Sequence, residues 1–189
     1  MLAKSFGAAL VGIKALPVEV EVDISHGLPG FSLVGLPDNA VKESRERLRA
    51  AIRNAGFDFP TQKITVNLAP ADVRKEGSGF DLPLAAALLG ATRVLPEEAL
   101  AQTLFCAELS LDGSLKKVRG ILPVALLAKE LGFRLVLARA DAREAALVKG
   151  LEVWPADSLA QMVALLRGEE APSPVEEPEL HGEDEPLED

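Results

Sequence analysis

Leu16, Val18, Val20, Val22 and Ile24 alternate with Glu19, Glu21 and Asp23. A period of two puts the apolar set on one face, so this segment is predicted to be a half-buried strand. His26-Gly27-Leu28-Pro29-Gly30 is turn chemistry, and residues 31–36 read as the next strand, so three strands are expected over residues 1–36. The period then changes. Pro37-Asp38 starts a helix with Asp38 as N-cap, and Gly56 ends it. Val41, Leu48, Ala51, Ile52 and Ala55 form its apolar stripe, while Lys42, Arg45, Arg49 and Arg53 form a second, basic stripe.

Residues 63–68 read as a strand and 67–80 as an irregular loop, followed by a helix over 81–91 that accommodates Pro83 in its first turn. Residues 104–111 and 115–118 flank Asp112-Gly113, a strong hairpin signal. Beyond it a helix over 121–131 ends at Gly132. A strand over 133–137, a helix over 141–149, a strand over 151–154 and a helix over 157–166 complete an alternating α/β pattern.

A chain of 189 residues with 48% hydrophobic positions has room for one real core. The formal charge of −9 is unevenly placed: ten of the 29 acids lie after Arg167, the last basic residue, so residues 1–168 carry a net of about +1. Residues 169–189 are rich in Glu, Asp and Pro with no aromatic side chain, and are expected to be a disordered linker or tail. The longest apolar stretches, 82–91 and 121–128, fall short of the roughly 18–20 residues that cross a bilayer, so no membrane partner is expected. Residues 1–11 lack the features of a secretory signal, and the single Cys106 suits a reducing compartment, so a cytoplasmic location is expected. His26, His181 and Cys106 cannot assemble a zinc, iron–sulfur or haem site within one chain, leaving only carboxylate-bound ions. Gly77-Ser78-Gly79 runs into Phe80-Asp81 without the Lys of a P-loop, so no ATP cofactor is expected in this chain.

Polar residues crowd the stretch from Asn67 to Asp81, between a strand end and a helix start, where α/β folds place chemistry. Two readings stay open: an anion or active site, or a structural loop in which Asp72, Glu76 and Asp81 satisfy backbone groups.

The runs Gly30-Phe31-Ser32-Leu33-Val34-Gly35-Leu36-Pro37-Asp38, Val41-Lys42-Glu43-Ser44-Arg45-Glu46-Arg47, Val66-Asn67-Leu68-Ala69-Pro70-Ala71-Asp72 and Phe80-Asp81-Leu82-Pro83 resemble the N-terminal domain of the ComM family. These proteins are also called YifB or magnesium-chelatase-like AAA+ ATPases. The resemblance covers residues 1–168 and implies an α/β (α+β two-layer) Lon-protease-like domain with a left-handed βαβ crossover. It further implies a Pro-rich linker at 169–189 and an AAA+ motor after it that binds ATP and Mg. By the same resemblance, the full-length protein is a hexameric helicase promoting branch migration of DNA during natural transformation. The motif-loop residues it marks are Asn67, Pro70, Asp72, Lys75, Glu76, Ser78 and Asp81.

Lon-type peptidases use a Ser activated by a Lys, in a pattern Lys-Asp-Gly-Pro-Ser-Ala-Gly. Here Lys75-Glu76-Gly77 is followed by Ser78-Gly79, which puts Gly79 at the nucleophile position and Ser78 one residue early. The family's dyad Lys follows a Gly-Gly pair, whereas Arg119-Gly120 precedes Ile121-Leu122-Pro123, with Lys117 and Lys129 too distant along the chain. No catalytic residue is therefore expected, and an active Ser-Lys peptidase is the rival reading. The basic residues Lys42, Arg45, Arg49 and Arg53, with Lys116, Lys117 and Arg119, are candidates for DNA-phosphate or subunit contact, and equally for a solvated surface. No aromatic residue interleaves them in the sequence.

Overall fold

The computed structural model describes residues 1–176. Its strands are β1 (Leu2–Val11), β2 (Lys14–Ser25), β3 (Gly30–Val34), β4 (Lys63–Ala69), β5 (Thr103–Cys106), β6 (Glu108–Leu109), β7 (Leu115–Lys116), β8 (Arg134–Ala138) and β9 (Val153–Ala156). Its helices are α1 (Asn39–Asn54), α2 (Asp81–Ala91), α3 (Glu97–Ala101), α4 (Ile121–Leu131), α5 (Ala142–Ala145) and α6 (Leu159–Leu166), with 3-10 turns at Ser78–Phe80 and Arg139–Asp141. The architecture is mixed α/β, as expected. A seven-stranded sheet runs in the order β3-β4-β2-β1-β5-β8-β9. The β1/β2 and β2/β4 pairs are antiparallel. The β3/β4, β1/β5, β5/β8 and β8/β9 pairs are parallel.

From Val18 onward the alternation in β2 has the expected consequence: Val18, Val20, Val22 and Ile24 are buried beneath α1 and α2, and the acidic side chains between them face outward, whereas Leu16, expected on the same buried face, is exposed. On the other half of the sheet both faces are covered. Phe105 of β5 and Val136 of β8 join the same core as α2 and α6. Leu104, Cys106, Leu135 and Leu137 point the other way, into a second core with α4 and α5. Strands buried on both faces need consecutive apolar residues, which is what residues 104–106 and 135–138 carry. Helix α2 is likewise buried nearly all round, so its sequence shows no amphipathic stripe.

Helix boundaries follow local chemistry. Asp38 caps α1, its carboxylate accepting the Val41 N–H at 2.8 Å. Gly132 ends α4 in the left-handed conformation at φ 73°. Three expectations change. The segment 104–111 is not one strand: at Ala107 the backbone leaves the sheet, its C=O accepting the Leu82 N–H at 3.2 Å, and β6 pairs instead with β7 in a separate ribbon. The helix expected over 141–149 is only Ala142–Ala145, because Leu147 and Val148 bond to carbonyls three residues back, a tighter turn that carries Val148 into the second core. Helix α3, at five residues, is too short to show periodicity. Of the expected disordered tail, residues 177–189 lie outside the described residues. Nearer the body, the Glu169 N–H still bonds to Ala164 at 2.9 Å and Val175 packs against the second core. Among the described residues, no helix is long and apolar enough to cross a membrane.

The junction of α1, α2 and the β6/β7 ribbon is held by one buried carboxylate. Asp81 is fully buried at the start of α2. It accepts Arg47 Nε at 2.7 Å, Arg47 Nη2 at 3.0 Å, the Leu109 N–H at 3.0 Å and the Ser44 hydroxyl. Burial pushes the Asp81 carboxyl above its ordinary range, against the pull of Arg47, Ser44 and the Leu109 N–H. Removing one partner strands the other. Arg47→Met and Asp81→Leu are each expected to cost about 3 kcal/mol in denaturant unfolding. The double substitution is expected to cost clearly less than the two single losses together, and strict additivity would show that the pair is not coupled.

Candidate functional site

The loop between β4 and α2 is pinned by its own lysine. Lys75 is fully buried, and its Nζ donates to the Gly35 carbonyl at 2.6 Å and to the Pro70 carbonyl. Its backbone does the same work: Lys75 N–H donates to Leu36 at 3.0 Å, and Asp38 N–H donates to the Lys75 carbonyl at 2.9 Å. These bonds hold Leu36, a non-glycine residue at φ 58°, in the left-handed region. Gly35 beside it is obligatory, since a Cβ there would stand 2.1 Å from the Leu68 carbonyl oxygen. Burial lowers the Lys75 pKa, with the nearby Asp72 opposing that shift. Asp38 is used twice, one oxygen capping α1 and the other accepting the Gly77 N–H at 3.2 Å.

The remaining motif residues separate. Asn67 donates to Glu21 at 3.3 Å, Glu76 pairs with Arg74 at 3.2 Å on the surface, and Pro70 and Asp72 are exposed. Asp81 belongs to the buried network already described. Ser78 Oγ donates to Glu108 Oε2 at 3.1 Å. Ser44, Arg47 and Glu108 were not singled out from the sequence; the spacing of Ser44 and Arg47, which puts both on one face of α1, was the available signal.

Glu76, Gly77, Ser78 and Gly79 line one wall of an open cleft of about 940 Å³. It lies where the parallel strands β1, β5 and β8 end, the side on which open α/β sheets form crevices. Lys117 and Arg119 face it together with the carboxylates of Asp38, Glu108, Asp141 and Glu144. The fold thus brings Lys117 to the cleft that holds Ser78, despite its distance along the chain. No hydrogen bond joins them: Ser78 is engaged by Glu108 and Lys75 by two main-chain carbonyls. At Gly79 a Cβ would meet the Cys106 sulfur at 3.2 Å, so a thiol stands directly against this glycine. Burial, and secondarily the Asp141 carboxylate, pushes that thiol up to about 12, which keeps it protonated and unreactive. Asp141 accepts the Val118 N–H at 2.9 Å and shapes the same wall. Among the described residues, no group of three or more His, Cys, Asp or Glu side chains is placed to hold a metal ion.

The two basic sets remain apart. Arg45, Arg49 and Arg53 line a groove of about 310 Å³ between α1 and residues 59–62, and no residue lines both it and the larger cleft. Aromatic rings absent from the basic stripe itself are supplied in space. Arg45 lies over Phe31 at 5.9 Å and Arg49 over Phe59 at 5.5 Å. Lys42 is exposed on the same helix, and Lys116 is exposed on β7.

Residues 20–141 match the family model described as subunit ChlI of Mg-chelatase. The chain is 44% identical over 169 residues to the competence protein ComM of Haemophilus influenzae, covering 89% of this chain and 33% of that protein. It is 46% identical over 168 residues to an uncharacterized protein of Mycobacterium tuberculosis, covering 88% and 33%. YifB of Escherichia coli is 44% identical over 163 residues, covering 86% and 32%. The chain therefore spans about a third of the length of the curated relatives it matches.

A thiol at about 12 is ionised in only about one molecule in ten thousand at pH 8. Alkylation of Cys106 by iodoacetamide at that pH is expected to be slower in the native chain than in the urea-unfolded chain by at least a hundredfold. Comparable rates would show an activated, accessible thiol in the cleft.

Proposed function

The chain belongs to the ComM and YifB family with a Mg-chelatase ChlI-type domain, and on that premise we propose that it is a non-catalytic, Lon-like module of a ComM-type protein acting on DNA during competence. The reading includes an AAA+ motor that follows this module and uses ATP and Mg, a hexameric assembly, a cytoplasmic location, and work in recombination by branch migration. The identity to a protein named for competence, sustained over 89% of this chain, is the observation that carries it. The module's part is assembly through Arg45, Arg49 and Arg53, three guanidiniums presented along one helix edge, and contact with DNA phosphates through Lys116, Lys117 and Arg119 at the hairpin end.

The non-catalytic character rests on chemistry. A Ser-Lys pair needs a hydroxyl and a neutral amine within hydrogen-bond reach. Ser78 instead donates to a carboxylate, and the buried amine with a lowered pKa, Lys75, is consumed by the carbonyls of Gly35 and Pro70. That buried lysine is also the specific observation favouring the rival peptidase reading, because a depressed amine pKa is what such a base requires.

A transformable bacterium lacking its own ComM-type gene separates the readings when complemented with the full-length protein that carries this domain. Ser78→Ala is expected to restore transformation as well as the unaltered protein does, with no peptide hydrolysis by either. The combined Arg45→Ala, Arg49→Ala, Arg53→Ala variant is expected to lower transformation at least tenfold at unchanged protein level. Loss of both transformation and hydrolysis in Ser78→Ala would establish the peptidase instead. Failure of the unaltered protein to complement would remove the competence role.

A further inference from the structure

We propose that the arginine groove beside α1 is the docking site for the acidic C-terminal segment, residues 177–189, of a second copy of this chain. The groove is a concentrated, uncompensated patch of positive charge. Among the described residues no carboxylate lies within 4.0 Å of Arg49 or Arg53, and Arg45 has only its neighbour Glu46, at 4.0 Å. Phe31 and Phe59 hold two of the guanidiniums in place beforehand, which lowers the entropy lost when a partner binds. The complementary charge is in the chain itself: residues 177–189 carry seven carboxylates without a single Lys or Arg.

A nucleic-acid strand fits the same groove less well, because Phe59 is buried and both rings carry an arginine over one face, leaving no stacking platform for bases.

Position favours a second copy. The groove lies at the β3 edge of the sheet, where Phe31 and Ile64 form its floor. Val175, near the last described residue, packs beside Leu151 and Val153 at the β9 edge, the opposite end of the strand order. Six strand spacings of about 4.8 Å separate those edges, and the segment would also have to pass around the helical layers. A neighbour placed edge to edge receives it without that detour, giving a head-to-tail contact in which each copy both donates and accepts.

The test mixes two forms of the full 189-residue chain. One is isotopically unlabelled, carries Cys106→Ala and Gly182→Cys, and bears a nitroxide on the new cysteine. The other is ¹⁵N-labelled and carries no spin label, so any paramagnetic broadening is between copies. Broadening of the amides from Arg45 to Arg53 is expected at low salt. It should disappear in about 1 M salt, where the screening length is about 3 Å, and in a ¹⁵N chain carrying Arg45→Gln, Arg49→Gln and Arg53→Gln. No broadening at low salt overturns the proposal, as does broadening centred on Lys129 and Lys149 or broadening that persists in the glutamine variant. A single-stranded oligonucleotide that shifts the Arg45–Arg53 amides in a mixture without broadening assigns the groove to nucleic acid and also overturns it.

Discussion

One buried carboxylate organises the half of the molecule that carries the motif loop. Asp81 begins α2 and reaches at once to α1, through Ser44 and Arg47, and to the β6/β7 ribbon, through the Leu109 N–H. A charge without solvent is tolerable only when its lone pairs are occupied, and here donors from α1 and β6 occupy them. The position of α2 fixes the 3-10 turn before it, and with it the wall of the cleft formed by Ser78 and Gly79.

The loop on the other side of that turn is governed by Lys75 in the same manner. Its amine and both backbone groups are spent on Gly35, Leu36, Asp38 and Pro70, so a residue type associated with base chemistry serves as a strut. What is left at the cleft is mixed charge, a serine held by a carboxylate and a thiol held protonated.

The basic residues divide along physical lines. Those at the hairpin end face the cleft and mix with carboxylates, whereas those on α1 stand along a groove with aromatic support. The negative net charge of the whole chain conceals this, because charge matters through local geometry and screening rather than through its sum.

Elements whose signal is local were legible in the sequence. The β2 alternation follows from side-chain periodicity, and the Asp38 cap, the start of α2 with Pro83 in its first turn and the end of α4 at Gly132 follow from backbone preference within a few residues. The family runs were legible too, because their residues are contiguous. The break at Ala107, the shortened α5, the burial of Lys75, the convergence of Lys117 and Ser78 on one cleft and the aromatic rings under the α1 arginines were decided by the tertiary structure alone. Most of these depend on partners that only the folded chain brings together, as between Ser78 and Glu108 or Lys75 and Gly35. Backbone propensity carries no record of such partners. Only closing the sheet sets which polar group is buried, and burial then dictates what it must bind.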